Sequence, residues 1–495
     1  MTPQPPRAGE HYDVLVLGAG WGGLTAASLL AKAGRRVAVL EASDRAGGCG
    51  QSFTRQGFSF CAEMQYLMGC GPGGVVQRWL NALELDEIVQ FNSLDPEGFD
   101  RIDVPGVSFR IPKGPDRLEA ALAEAFPADR APLTELFTIL RRIEAELAVS
   151  GIDLTRLERH PFEFKETVLY GPWPVTRVFE HLGLSPRARA VLAGQCGDIG
   201  LAPGEEPLLA LHALMFGYGE SAHFPKRGMG FFVDRVVEYL TSHRGTLSYG
   251  TPVTRIVRDG DRIAWVETPR GMFSADLVIS NIDPARTFAM IEGAPTPRYE
   301  QSASCFTIFL GLDIDLATRG FGRFNVWSYP DENLDAAVER TTIAHEYGDP
   351  SFFLATPSLY ADPGILAPAG HSTVQINVLS DFNWFATAAR EGRHEAETSR
   401  IADEILTAVE RRLLPDLRRH RVVQEVWSPV DLAAHVGLER GGMYGARLDL
   451  QNRVLHRVSR RTPFENLYLT GATVGGPGLQ GVVAASMRLV ERLLG

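Results

Sequence analysis

Basic residues are in deficit: 49 Lys plus Arg stand against 60 Asp plus Glu, a net charge of −11 over 495 residues. That balance excludes nonspecific phosphate-backbone binding as a main activity, and no nucleic-acid partner is expected. Cysteine is scarce. Cys49, Cys61, Cys70, Cys196 and Cys305 form no C-x-x-C pair and are odd in number, which supplies neither a zinc site nor a disulfide framework, so no metal is expected. No apolar run reaches the ~18 residues of a spanning helix; the most apolar segments, near Leu208–Phe216 and Cys305–Leu312, are shorter. Met1–Glu10 carries three prolines and no apolar core, unlike a signal or transit sequence, so a cytoplasmic protein is expected. There is no G-x-S-x-G elbow and no histidine in a second partner motif, which argues against a serine or cysteine hydrolase.

What is present is an ordinary globular balance, 45% apolar and 22% charged, ample for a large core and long enough for two associated domains. Asp13–Leu17 is a short apolar strand pattern, Leu24, Ala27, Leu30 and Ala31 follow at helical spacing, and Val37–Leu40 is a second apolar run. Together they predict one βαβ unit. Helices are predicted over Pro132–Gly151, over Gly228–Leu240 and through Ile401, Ile405, Val409 and Leu413. Small antiparallel strands are predicted around Leu247, Val253–Val257, Ile263–Glu267 and Leu277–Ser280, and a closing strand at Leu467–Thr470 leads to a helix opened by Gly481.

The pattern G-x-G-x-x-G occurs three times, so context must decide among the copies. At Gly18, Gly20 and Gly23 it follows a strand, opens a helix and is followed by Glu41, 21 residues beyond Gly20. This is a full dinucleotide fingerprint: glycines for the turn and for the pyrophosphate, a carboxylate for the ribose hydroxyls. The copy at Gly69, Gly71 and Gly74 follows a poor strand and contains Pro72, and it predicts only a loop before a helix at Val75–Leu80. The copy at Gly476, Gly478 and Gly481 has 14 residues after it, too few for a ribose acid. Its helix N-terminus can still stabilise a delocalised anion such as a reduced flavin.

After Glu41 comes Arg45 and the pair Gly47-Gly48. This arrangement, with the C-terminal strand, glycine loop and helix, resembles the flavin-binding signature of the amine oxidase and phytoene desaturase superfamily. The phytoene desaturase, carotenoid isomerase and retinol saturase branch is most similar, through Phe224–Gly230, Ala275–Pro284 and Asn466–Ala472. The resemblance implies an α/β fold: a Rossmann-like, glutathione reductase-like FAD domain over 1–113, 222–301 and 431–495, with an α+β substrate domain over 114–221 and 302–430. It implies noncovalent FAD with the adenosine end on Glu41, the pyrophosphate on Gly18 to Gly23 and the ring near Gly47, Gly48 and the terminal helix. The cofactor set is Gly18, Gly20, Trp21, Gly22, Gly23, Glu41, Ala42, Arg45, Gly47, Gly48, Val253, Gly471, Leu479, Gly481 and Val482.

Three places depart from the carotenoid desaturase pattern: Cys49 replaces a basic residue after the glycine pair, Phe60-Cys61-Ala62-Glu63 replaces an aromatic-acidic pair, and Gly475–Gln480 lacks histidine-proline. The implied substrate is therefore the wider class of long apolar unsaturated chains, whether carotenoid, isoprenoid or fatty acyl. The expected activity is desaturation by hydride transfer to flavin N5, with Glu63 as base and Tyr66 as donor. Alternatives are a cis-trans isomerase or saturase of such a chain, an amine oxidase, and a flavin-binding protein without turnover. No second acid-supported dinucleotide fold is visible, so the expected electron acceptor is diffusible, oxygen or a quinone. The basic clusters at Arg411-Arg412, Arg418–Arg421 and Arg457–Arg461 are candidates for peripheral contact with the inner face of a membrane.

Overall fold

The computed structural model describes residues 7–150, 161–449 and 458–495. Its organising element is a seven-stranded sheet. The strand His11–Leu17 lies parallel between Val37–Leu40 on one side and Gly271–Ser280 on the other, with Gly245–Ser248 outside Val37–Leu40. Leu467–Leu469 adds in parallel to the end of Gly271–Ser280. The central strands read as unbroken apolar runs because both faces are buried. Val14, Val16, Val37 and Val39 enter one core, and Leu15, Leu17, Ala38 and Leu40 enter another.

The helix Trp21–Lys32 crosses from the first strand to the second and packs against Gly228–Ser242 and the terminal helix Gly478–Leu494. Arg255–Asp259 and Arg262–Thr268 form the expected antiparallel ribbon with the start of Gly271–Ser280. The run at Leu247, expected to be antiparallel as well, pairs parallel with Val37–Leu40. The chain reaches it through the helix Gly228–Ser242, and a helical crossover returns a strand parallel to its neighbours.

A second seven-stranded sheet runs in the order Arg421–Trp427, Ser304–Leu312, Ser372–Ser380, Phe352–Ala355, Asn325–Ser328, Asp100–Val104, Val107–Ile111. Its pairings are antiparallel except that of Asn325–Ser328 with Asp100–Val104. Two strands placed by the sequence in the first cofactor segment, 1–113, thus pair in the other sheet. Helices gathered between Pro115 and Ser221, including Arg130–Ser150, pack beside this sheet.

Candidate functional site

At the C-terminal ends of the strands His11–Leu17, Val37–Leu40 and Gly271–Ser280 lies a cavity of about 270 Å³. Gly18 closes the first strand at φ +93°, a left-handed conformation that glycine adopts without strain. Gly20 then caps the helix Trp21–Lys32, and no side chain caps that end, which leaves its first N–H groups free to meet an anion. A Cβ on Gly20 would stand 2.7 Å from Asn281 Nδ2, and one on Gly22 would stand 2.4 Å from Asn281 Oδ1. Gly47, at φ +110°, bridges to Gly20 and donates its N–H to Ala19 O at 2.8 Å. The two glycine loops found separately in the sequence therefore touch.

Glu41 ends the second strand with its carboxylate fixed: Oε2 accepts from Ala19 N at 2.6 Å and Oε1 from Ser43 N at 2.8 Å. On the far side, Pro477 caps the helix Gly478–Leu494 and aims its N-terminus at the cavity, so the helix opens at Gly478 rather than at Gly481.

Of the cofactor set read from the sequence, Gly18, Gly20, Trp21, Gly22, Glu41, Ala42, Gly47, Gly48, Val253, Gly471, Leu479 and Val482 line this cavity. Three do not. Gly23 is there for packing, since a Cβ would lie 2.0 Å from Gly18 O, and Gly481 likewise faces Gly476 C at 2.9 Å. Arg45 turns away to brace its own loop, donating from Nη1 to Ser52 O at 2.9 Å and from Nε to Asp44 at 3.1 Å. Residues not included in that set also line the cavity: Asn281, Asp283, Arg286, Gln301, Thr251 and Tyr444. Asn281 and Asp283 carried a sequence signal, the run Ser280-Asn281-Ile282-Asp283-Pro284, whereas Tyr444 carried none. Asp283 caps the helix Pro284–Ala289 and also accepts from Tyr299 Oη at 2.6 Å.

Glu63 sits where the cavity meets a second, smaller one of about 50 Å³, and it lines both with Met443 and Tyr444. The second cavity is walled by Trp327, Phe352, Phe353, Leu379 and Val338, largely from the second sheet. Thr307 Oγ1 donates to Glu63 Oε1 at 2.8 Å, and Asn377 Nδ2 donates to Oε2 at 2.8 Å. Burial outweighs those two hydrogen bonds and pushes the Glu63 carboxyl up to about 8. Burial, with the neighbouring Glu63 charge, also pushes the Cys49 thiol up to about 12, which keeps it a thiol.

Tyr66 lines neither cavity. Three residues beyond Glu63 the chain has turned inward, and Tyr66 Oη donates to Asp100 Oδ2 at 3.2 Å while its ring stacks on Tyr218 at 4.2 Å. Asp100 also accepts from Gln195, Asn325 and Trp327. The expected donor role for Tyr66 at a substrate is thus not supported, because its one proton is committed inside the protein. Asp198, lining the second cavity from the other wall, has its carboxyl raised well above the usual range, by burial first and by Asp100 second.

The model of the flavin containing amine oxidoreductases matches residues 21–494. The chain belongs to that family. This flavin containing amine oxidoreductase family member is an FAD-dependent oxidoreductase. The cavity suits such a cofactor: a helix N-terminus without a side-chain cap, a glycine floor that a Cβ would fill, and a fixed carboxylate at the end of the second strand. Among curated relatives it is similar to all-trans-retinol 13,14-reductase of Danio rerio, 24% identical over 97% of this chain and 86% of the relative. It is also similar to prolycopene isomerase 2 of an Oncidium hybrid cultivar, 25% identical over 96% and 82%, and to 4,4'-diapolycopene oxygenase of Methylomonas sp, 24% identical over 98% and 98%. Among solved structures, an oxidoreductase from Methanosarcina mazei superposes with a TM-score of 0.66 at 18% identity, covering 97% of this chain and 100% of that one. Putrescine oxidase bound to putrescine superposes with a TM-score of 0.64 at 16% identity, over 98% and 99%; these two likenesses speak to the fold.

Proposed function

We propose that the protein desaturates a long apolar chain carrying double bonds, with FAD held noncovalently along the larger cavity and the chain entering through the smaller one. The single observation that carries this reading is the position of Glu63, a carboxyl shared by the cofactor cavity and an aromatic-walled cavity beside it. The curated relatives, named for retinol, prolycopene and diapolycopene, support a polyene. Bound FAD would supply acceptance of a hydride from a substrate carbon. The protein does the rest: the walls exclude water, the aromatic side chains hold the chain, and a Glu63 oxygen takes the hydrogen that leaves the adjacent carbon as a proton. Noncovalent attachment is supported by the protonated state of Cys49, a poor nucleophile in that form.

A base must be ionised, and with its pKa near 8 Glu63 is ionised in only a minor fraction at pH 7. Desaturation should therefore speed up as pH rises toward 8 and level off above it. The same fact favours a second reading, a saturase, in which neutral Glu63 gives its proton to the chain and the rate falls above pH 8. Anaerobic mixing of holoenzyme with a polyene at several pH values tests both: flavin bleaching that rises with pH supports the desaturase, and polyene loss only after chemical reduction of the flavin, falling with pH, supports the saturase.

Electrons leaving a desaturase go to a diffusible acceptor, oxygen or a quinone. Contact with a lipid surface would supply the chain. The basic clusters expected to make it are largely engaged: Arg411 pairs with Asp349, and Arg418 with Glu410 and Asp403, while Arg457 lies outside the described residues. An apolar set fits better: Phe162 is 97% exposed, and Val168 and Leu169 stand exposed nearby. No helix among the described residues is long and apolar enough to cross a membrane.

A further inference from the structure

The charge lining the cofactor cavity is lopsided. Glu41, Glu63, Asp283 and Glu439 bring carboxyl groups to its wall, and among the described residues Arg286 is the one cationic side chain there. FAD carries a pyrophosphate, two negative charges, so it enters a site whose titratable acidic and basic side chains are mostly acidic. The N-terminus of the helix Trp21–Lys32 supplies partial positive charge, and the residue after the glycine pair, Cys49, is neutral. Among the described residues lining the cavity, a full positive charge has one place to come from, Arg286.

Arg286 is also uncommitted. It stands exposed on the short helix Pro284–Ala289 and makes no hydrogen bond or ion pair among the described residues. Most arginines of this chain that have an acid nearby are paired with it; Arg286 is not, although Asp283 is three residues away. Asp283 is already occupied by Ala285 N, Tyr299 Oη and Gln301 Nε2. This helix follows directly on Asn281, whose side chain touches Gly20 and Gly22 at the floor of the cavity. The guanidinium is thus on the rim beside the glycine floor, free to turn inward as a fork that matches two phosphate oxygens.

We propose that Arg286 is the phosphate-binding arginine of the cofactor site, neutralising the pyrophosphate of FAD together with the N-terminus of the helix Trp21–Lys32. The residue's exposure makes its replacement harmless to folding, so the effect falls on the cofactor. The test measures flavin release from the holoenzyme on dilution, followed by the fluorescence of free FAD, with no substrate present, and so stands apart from the question of which chain is oxidised. Arg286→Ala and Arg286→Gln should each release FAD about tenfold faster or more, the scale of a lost charge-assisted pair, while Arg286→Lys stays within a few-fold of wild type. Added salt should accelerate release from wild type and leave the two neutral variants nearly unchanged, because the screened interaction is already gone. Release at the wild-type rate from Arg286→Ala, or from Arg286→Gln alone, would overturn the assignment.

Discussion

In the proposed mechanism one side chain, Glu63, carries the proton step. Its neighbours Thr307 and Asn377 both donate to it, so the carboxyl is held in place in either protonation state at the meeting point of two cavities. Glu63→Gln keeps the shape and an oxygen that can accept one of these two hydrogen bonds, and it removes the titration. With FAD still bound, it should slow anaerobic flavin reduction by about 100-fold, the usual scale for a lost general base, and abolish the pH dependence; an unchanged stopped-flow rate would take Glu63 out of the mechanism. The same substitution bears on stability. A carboxyl raised in the folded state from 4.5 to about 8 binds a proton that the unfolded chain has released between those values, so its burial weakens the fold as pH climbs through that window. Thermal melting should show Glu63→Gln gaining on wild type from pH 4.5 to pH 8. The reading of Glu63 as a base rested on its following the glycine pair Gly47-Gly48 in the chain. Tyr66 was misread for the same reason: nearness in sequence says nothing about which side of a turn a side chain takes, and Tyr66 went into the Asp100 network.

At the scale of elements, the glycine loops carry the site, and they carry it by contact. Gly47 meets Gly20 directly, and a Cβ on Gly47 would combine a left-handed φ with an approach of 2.9 Å to Val233 Cγ2. Gly47→Ala should therefore loosen FAD and lower the melting temperature together. Gly20→Val should lose FAD outright, since the added atoms start 2.7 Å from Asn281 Nδ2 and then extend into the pyrophosphate's place; a purified variant with full flavin absorbance would contradict this. The first βαβ unit was readable from periodicity, because its glycines and its Glu41 stand at fixed offsets. The terminal helix was readable in kind and misplaced by three residues, because Pro477 serves as its cap and Gly481, taken for the opening, is packed inside the first turn. The second sheet was largely silent: Phe352–Ala355 and Asn325–Ser328 are four residues each and buried throughout, too short for any alternation of polar and apolar positions to show.

Across the whole molecule, the two sheets are built from interleaved stretches of chain, and the cavity at the first sheet adjoins, at Glu63, the one walled by the second. The expected division into a cofactor part and a substrate part rests on where the fingerprints fall, and the crossing of Asp100–Ile111 into the second sheet was not legible, since pairing partners hundreds of residues apart leave no local mark. The exposed set Phe162, Val168 and Leu169 belongs to this scale too: Phe162→Ser with Leu169→Ser should reduce cosedimentation with phospholipid vesicles without loss of flavin, and unchanged cosedimentation would assign delivery of the chain to another surface. The most direct test of a polyene desaturase is rapid anaerobic mixing of the yellow holoenzyme with a polyene and, separately, with an aliphatic amine. The expected result is bleaching by the polyene alone, with a product two hydrogens poorer and a rate that rises with pH to a plateau near 8; bleaching by the amine with none by the polyene would contradict it.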